Sequence, residues 1–291
     1  MQNISGYPYF MKPSGQVKPR ILALDMDDTL LRSDLSISPR IRSAIKFAGD
    51  AGVIVVLASS RVPAAMEKFA RLLGLNDTLG YLLSYNGALI QESHTGKIVH
   101  DAPLERETVL AVCDLADAEG FALQMYEDDI MYVSRKNEYT GRDQKLTGIR
   151  QVVVENFRDM VSGGCYKLTI PGDPELIVHM EKLVRSYFEE KLSLFISRPY
   201  FLDLMSEGTN KGNSLAKIAE INGISAAETI AIGNSMNDEA MIRWAGIGVA
   251  MANSDENIKK IATLVTKNTN DEDGVLEVIE KYILGKRGPF E

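Results

Sequence analysis

Apolar positions along the chain follow two patterns. Some form short unbroken runs, and others recur every third or fourth residue between polar ones. The run ILALDMD (residues 21–27) reads as a strand. SPRIRSAIKFAGDAG (38–52) has helical spacing, with Ser38 as N-cap, Pro39 at the first helical position and Gly52 as the stop. VIVVLASS (53–60) is almost continuously β-branched, the mark of a strand buried on both faces. PAAMEKFARLLG (63–74) is helical, and GYLLSYNG (80–87) is strand-like. This β-α-β-α-β order predicts a parallel sheet with right-handed crossovers.

The rhythm changes after residue 87. ALIQESHTGKIVHD (88–101) reads as a hairpin around Thr95 and Gly96. LERETVLAVCDLADAEG (104–120) is helical, and the alternating FALQMYEDDIMYVS (121–134) is a strand pair. After a polar patch without a clear period come the strand CYKLTIPG, the helix DPELIVHMEKLVRSYFEEK and the strands LSLFIS and PYFLDLMS. Strands next to strands, with helices between, predict an α+β insert over 88–206. From about residue 207 helices and buried strands alternate again. The expected division is therefore a core of residues 21–87 and 207–291, an inserted domain, and a disordered tail at 1–20.

Composition narrows the function. A formal net charge of −8 argues against nonspecific nucleic-acid binding, though a few local cations suffice to hold a small anion. No apolar run is long enough to span a bilayer. Two cysteines, Cys113 and Cys165, without metal-like spacing suggest a reducing compartment, so the expected location is cytoplasmic.

The chemistry gathers where the first strand ends. Asp25, Asp27 and Asp28 precede Thr29 at the carboxyl edge of the sheet, where open parallel sheets bind ligands. On extended backbone Asp25 and Asp27 point to the same side. Two carboxylates about 4 Å apart repel by roughly 4 kcal/mol at an effective dielectric of about 20. A hard divalent cation, most simply Mg²⁺, offsets that repulsion; protonation of one acid is the alternative.

DMDDTLL matches the D-x-D-x-T signature of the haloacid dehalogenase (HAD) superfamily of phosphohydrolases. VVLASSR resembles its second motif, with Ser59 in the Ser/Thr position; NKG supplies Lys211 as the third; GNSMND resembles the fourth. The insert resembles the cap of the IIB subgroup, the Cof-type phosphatases, as do SYNGALI and NDEDGVLEVI. The resemblance implies a Rossmann-like parallel-sheet core, an α+β cap that sets specificity, and a Mg²⁺-dependent phosphatase of small phosphorylated metabolites. In that scheme Asp25 is the nucleophile and Asp27 the general acid and base, its main-chain carbonyl also reaching the metal. Thr29 orients Asp27 or supports the loop. Ser59 donates to a phosphoryl oxygen, and Lys211 neutralises charge on the transferring group. Arg61 binds phosphate or substrate, or pairs with a surface acid. Asn86 lines the site or merely makes a turn, and Asn237 contacts phosphate or Lys211.

Two positions depart from the family pattern. Ser60 stands where the subgroup usually has Gly. Asn234 stands where the fourth motif usually has an Asp metal ligand; its amide oxygen still coordinates but brings no charge. Asp238 then binds the metal directly or through water, or orients Lys211. The metal set implied is Asp25, Asp27, Asn234 and Asp238. A phosphotransferase or phosphomutase is the rival within enzymes, and a phospholigand-binding protein with weakened chemistry the rival outside them. The expected assembly is a monomer or homodimer.

Overall fold

A computed structural model of the chain describes residues 18–189 and 191–285. The predicted disordered tail falls mostly on residues 1–17, outside the described residues. Residues 18–20 lead into the first strand, and the Arg20 amide donates to the Glu228 carbonyl at 2.7 Å.

In chain order the elements are β1 (Ile21–Asp25), α1 (Pro39–Asp50), β2 (Ile54–Ala58), α2 (Pro63–Leu72), β3 (Gly80–Ser84), β4 (Leu89–Glu92) and β5 (Ile98–Asp101). There follow α3 (Arg106–Ala118), β6 (Gln124–Glu127), β7 (Ile130–Val133), α4 (Thr140–Thr147), β8 (Arg150–Val153), β9 (Leu168–Pro171), α5 (Pro174–Phe188), β10 (Leu192–Arg198) and β11 (Phe201–Ser206). The chain closes with α6 (Lys211–Ile221), β12 (Thr229–Gly233), α7 (Glu239–Trp244), β13 (Ile247–Ala250), α8 (Glu256–Ile261), β14 (Leu264–Val265) and α9 (Gly274–Ile279). The start of α1 follows the sequence: Ser38 Oγ accepts from the Ile41 amide and Pro39 opens the helix.

The larger sheet runs β14-β13-β12-β1-β2-β3-β4-β5. It is parallel from β14 to β3. The hairpin at 88–101, expected in the insert, instead extends this sheet, because β4 pairs antiparallel with β3 and β5 with β4. It covers an edge that β3 would otherwise leave open. The smaller sheet, β10-β11-β9-β6-β7-β8, is antiparallel except for β7 and β8. The chain leaves the larger sheet after β5 and returns to it after β11, and the two crossings meet where Ser206 Oγ donates to the Ala102 carbonyl at 2.8 Å.

Period-two alternation decides which side chains reach the site. On β1, Leu22 and Leu24 pack toward α1 and α9, whereas Ile21 and Ala23 pack toward α6 and α7. Asp25 continues the second series and so emerges on the α6 side, where Lys211 begins that helix. In the smaller sheet, Leu168, Ile170, Leu202 and Leu204 pack against α3 and α5. The intervening residues turn toward the core: Tyr126 and Met205 share a buried cluster with Val62, Tyr85 and Leu89.

Candidate active site

The floor of the site is a buried charge triad. Lys211 Nζ donates to Asp25 Oδ1 and to Asp238 Oδ1, both at 2.6 Å, and all three side chains are almost fully buried. A lysine at a helix start opposes the helix dipole, and the two carboxylates offset that. Asp238 is held in turn: its Oδ2 accepts from the amides of Asn234 and Ser235 at 2.9 and 3.1 Å. This packing needs Gly233, where an added Cβ would lie 2.5 Å from the Asp238 carboxyl carbon. Of the roles read for Asp238, the geometry realises the orientation of Lys211.

Asp27 leaves the turn after β1 toward a different cation. Arg61 clamps it with two bonds, Nε to Oδ2 at 2.9 Å and Nη2 to Oδ1 at 2.7 Å. The acid that Arg61 pairs with is thus the candidate catalytic one. The Arg61 Nη1 is buried and has no partner. The Ser59 hydroxyl accepts from the Arg61 amide at 3.2 Å. Behind this loop, Tyr85 and Asn86 both take left-handed backbone, with φ of 50° and 54°. Such a conformation costs about 1–2 kcal/mol for a bulky residue like Tyr, so the surroundings must enforce it. The amides of Tyr85 and Asn86 donate to the carbonyls of Arg61 and Ser59, tying the second motif to the end of β3. Asn86 Oδ1 accepts from Asn237 Nδ2 at 3.0 Å. Asn237 is therefore joined to Asn86; no bond to Lys211 is seen. The hydroxyl of Thr29 is buried without a hydrogen-bond partner, so Thr29 supports the loop by packing and does not hold Asp27.

Electrostatics separates the two acids. Burial and the nearby Asp238 push the Asp25 carboxyl up to about 7, despite the contact with Lys211. Burial acts the same way on Asp27, but the Arg61 clamp, helped by Arg198 and Lys211, outweighs it and holds that carboxyl below its ordinary value. Lys211 loses stability as a cation through burial, yet Asp238 and Asp25 more than restore it, so it stays protonated.

A cavity of about 130 Å³ opens over this floor. Asp25, Asp27, Asp28, Arg61, Asn234 and Asn237 line it from the core. The insert supplies the opposite wall, with Tyr126, Asp143, Lys167, Arg198, Phe201 and Asp203. Lys167 Nζ donates to the Ser60 carbonyl at 3.1 Å, and Arg198 reaches Asp28 at 3.5 Å, so the two parts meet through cations. Among the insert's tyrosines, Tyr126 lies on this wall, while Tyr132 and Tyr139 are not among the lining residues. Lys167 and Asp203 were missed. Their signal was a charge within otherwise apolar alternation, YKLTIP and YFLDLM, at positions turned away from the insert's own core.

The donors present fit a hard divalent cation. No cluster of three or more His, Cys, Asp or Glu forms a ready cage among the described residues. Asp238 has both oxygens engaged, as above. What remains on the cavity floor is the second oxygen of Asp25, the amide of Asn234 and the main chain of Asp27. One carboxylate and neutral oxygens, completed by water and phosphate oxygens, suit Mg²⁺.

The fold is a parallel sheet whose carboxyl edge carries the buried triad, faced by an inserted α+β unit. A family profile for haloacid dehalogenase-like hydrolases matches residues 22–279. The chain belongs to that family. A haloacid dehalogenase-like hydrolase from Bacteroides thetaiotaomicron superposes with a TM-score of 0.84 at 32% identity, covering 90% of this chain and 98% of its own. The 5-amino-6-(5-phospho-D-ribitylamino)uracil phosphatase YwtE of Bacillus subtilis is 27% identical over 92% of this chain and 99% of its own. A subclass IIB sugar phosphatase shares the fold, with a TM-score of 0.77 at 24% identity over 89% of this chain and 97% of its own. No helix among the described residues is long and apolar enough to cross a membrane.

Proposed function

We propose that this chain is a cytoplasmic Mg²⁺-dependent phosphatase. Its substrates are small phosphorylated metabolites, drawn from sugar phosphates, nucleotides or phosphorylated cofactors. The observation that carries the reading is the Asp25–Lys211–Asp238 triad at the floor of a cavity closed by the insert. A carboxylate held there by a buried lysine is a positioned nucleophile. An Asp25 oxygen attacks phosphorus, the bond from phosphorus to the leaving oxygen breaks, and an aspartyl-phosphate forms. Water then attacks the same phosphorus, returning Asp25 and releasing phosphate. Lys211 and the unpartnered Nη1 of Arg61 offer positive charge to the phosphoryl oxygens. When bound, Mg²⁺ supplies further positive charge against the phosphate dianion, on the oxygens of Asp25, Asp27 and Asn234.

Asp27 is ionised by its Arg61 clamp, which suits the base that takes a proton from water. Acting as acid on the leaving oxygen requires the clamp to open, so that Arg61 turns to the arriving phosphate and Asp27 takes up a proton. The same ready base favours transfer to water over transfer to a second sugar hydroxyl, the phosphomutase alternative. Asn234, uncharged where the family usually has a metal-binding Asp, is the one feature that favours a weakened, ligand-binding protein. Phosphate release from an aryl phosphate, assayed with Mg²⁺ and after chelation, tests the reading. Turnover that depends on the metal is expected; none on the aryl phosphate and none across phosphorylated metabolites would favour binding without catalysis.

A further inference from the structure

On the cavity wall opposite the nucleophile, an ion pair stands open. Lys167 Nζ lies 3.8 Å from Asp203 Oδ2, a salt-bridge distance but too long for a hydrogen bond. Both residues are held by other contacts. Lys167 donates to the Ser60 carbonyl at 3.1 Å and its ammonium sits 4.4 Å from the centre of the Tyr126 ring. Asp203 Oδ1 accepts from the Thr169 hydroxyl at 2.6 Å. Oδ2 is left buried with no hydrogen-bond partner, although Asp203 is only 1% exposed and lines the cavity. Native structures rarely leave a buried acceptor unmet. Burial raises the Asp203 carboxyl, and Lys167, Thr169 and Ser197 only partly reverse this.

A gap with a cationic donor on one side and an unmet acceptor on the other matches a group that accepts and donates at once. An alcohol hydroxyl does both. Its oxygen can stand about 2.8 Å from each partner. The charges around the gap exclude the main competitor. Arg198 already faces Asp28 at 3.5 Å, Lys167 already faces Asp203, and Asp143 adds a carboxylate bonded to the Tyr126 hydroxyl. A second phosphate or a carboxylate entering here finds each lining cation of the insert already facing an acid.

We propose that Lys167 and Asp203 together bind one hydroxyl of the leaving group, and that this wall selects neutral, polyhydroxylated leaving groups over anionic ones. The inference rests on the phosphatase reading above and narrows it.

The test is a set of kcat and KM values for wild type, Asp203→Asn and Lys167→Met. The substrates are sugar and alditol monophosphates of three to six carbons, their bisphosphates, and 4-nitrophenyl phosphate, which has no hydroxyl to bind. Wild type is expected to favour the best monophosphate over its bisphosphate by tenfold or more in kcat/KM. Each variant is expected to lose about tenfold to hundredfold on that monophosphate, mostly through KM, the worth of one hydrogen bond to a charged group. The loss on 4-nitrophenyl phosphate should be at least about tenfold smaller, so a general loss of structure cannot imitate the result. Equal losses on both substrates, or a wild type that prefers bisphosphates, overturn the inference while leaving the phosphatase reading intact. A wild type inert on every substrate with Mg²⁺ overturns the phosphatase reading and this inference with it.

Discussion

The two walls of one cavity are built on opposite terms. On the core wall the main charges are closely paired: Lys211 contacts two carboxylates at 2.6 Å, and Arg61 grips Asp27 with two bonds. On the insert wall the Lys167–Asp203 pair stays open at 3.8 Å and a buried carboxylate oxygen has no donor. A phosphoryl group is the same in every substrate, so the wall that handles it can be closed and rigid. A leaving group differs between substrates, and on the proposed reading the wall that meets it leaves one ion pair long for the ligand to enter. On the proposed reading, the closely paired charges handle the phosphoryl group and the long ion pair meets the leaving group.

Breaking the core wall should cost most. Asp25→Asn removes the nucleophile and is expected to lower kcat by about 10⁴-fold or more on every substrate, measured as phosphate release. Asp27→Asn removes the base that activates water and should lower kcat by about 10²–10⁴-fold. Here a phosphoenzyme that accumulates in an acid quench separates slow hydrolysis from failed attack. Lys211→Met leaves Asp25 and Asp238 buried without their shared cation, and should destabilise the fold by about 3–5 kcal/mol in denaturant titration.

Smaller effects sharpen the contrast. Asn234→Asp adds a charge beside Asp25 and should tighten Mg²⁺ binding in calorimetry; unchanged or weaker binding counts against Asn234 as a ligand. On the insert wall stability and recognition should move in opposite directions. The folded-state value of Asp203 lies above its unfolded one, so its ionisation costs stability as pH rises from the ordinary carboxylate range through that raised value, and the cost is complete above it. Asp203→Asn should therefore raise Tm at neutral pH and flatten the pH dependence of Tm over that window, even as it impairs polyol phosphates. A lower Tm would make Asp203 a structural residue.

The same contrast explains what could be read from the sequence. β1, β2, β3 and β12 announced themselves as unbroken apolar runs, because a parallel sheet buried on both faces leaves no room for polar residues. The proposed catalytic acids, Asp25 and Asp27, lie at the end of the first run, where the fold class alone places ligands. Lys211 and Asp238 were found through motif spacing, and their contact follows from the α6 side of β1. The partner of Arg61 was not legible, since residues 27 and 61 meet only when β1 and β2 lie side by side. The hairpin 88–101 reads as part of the insert because nothing local distinguishes an antiparallel extension of one sheet from the start of another. Lys167, just before β9, and Asp203, on β11, are 36 positions apart, and only the pairing of β9 with β11 brings them together.

The most direct test of the account is phosphate release from 4-nitrophenyl phosphate by wild type and Asp25→Asn, each with Mg²⁺ and with chelator. The account predicts turnover by wild type with Mg²⁺ alone and none above background in the other three conditions. Turnover that survives in Asp25→Asn would contradict it, because the carboxylate held by Lys211 would then not be the nucleophile.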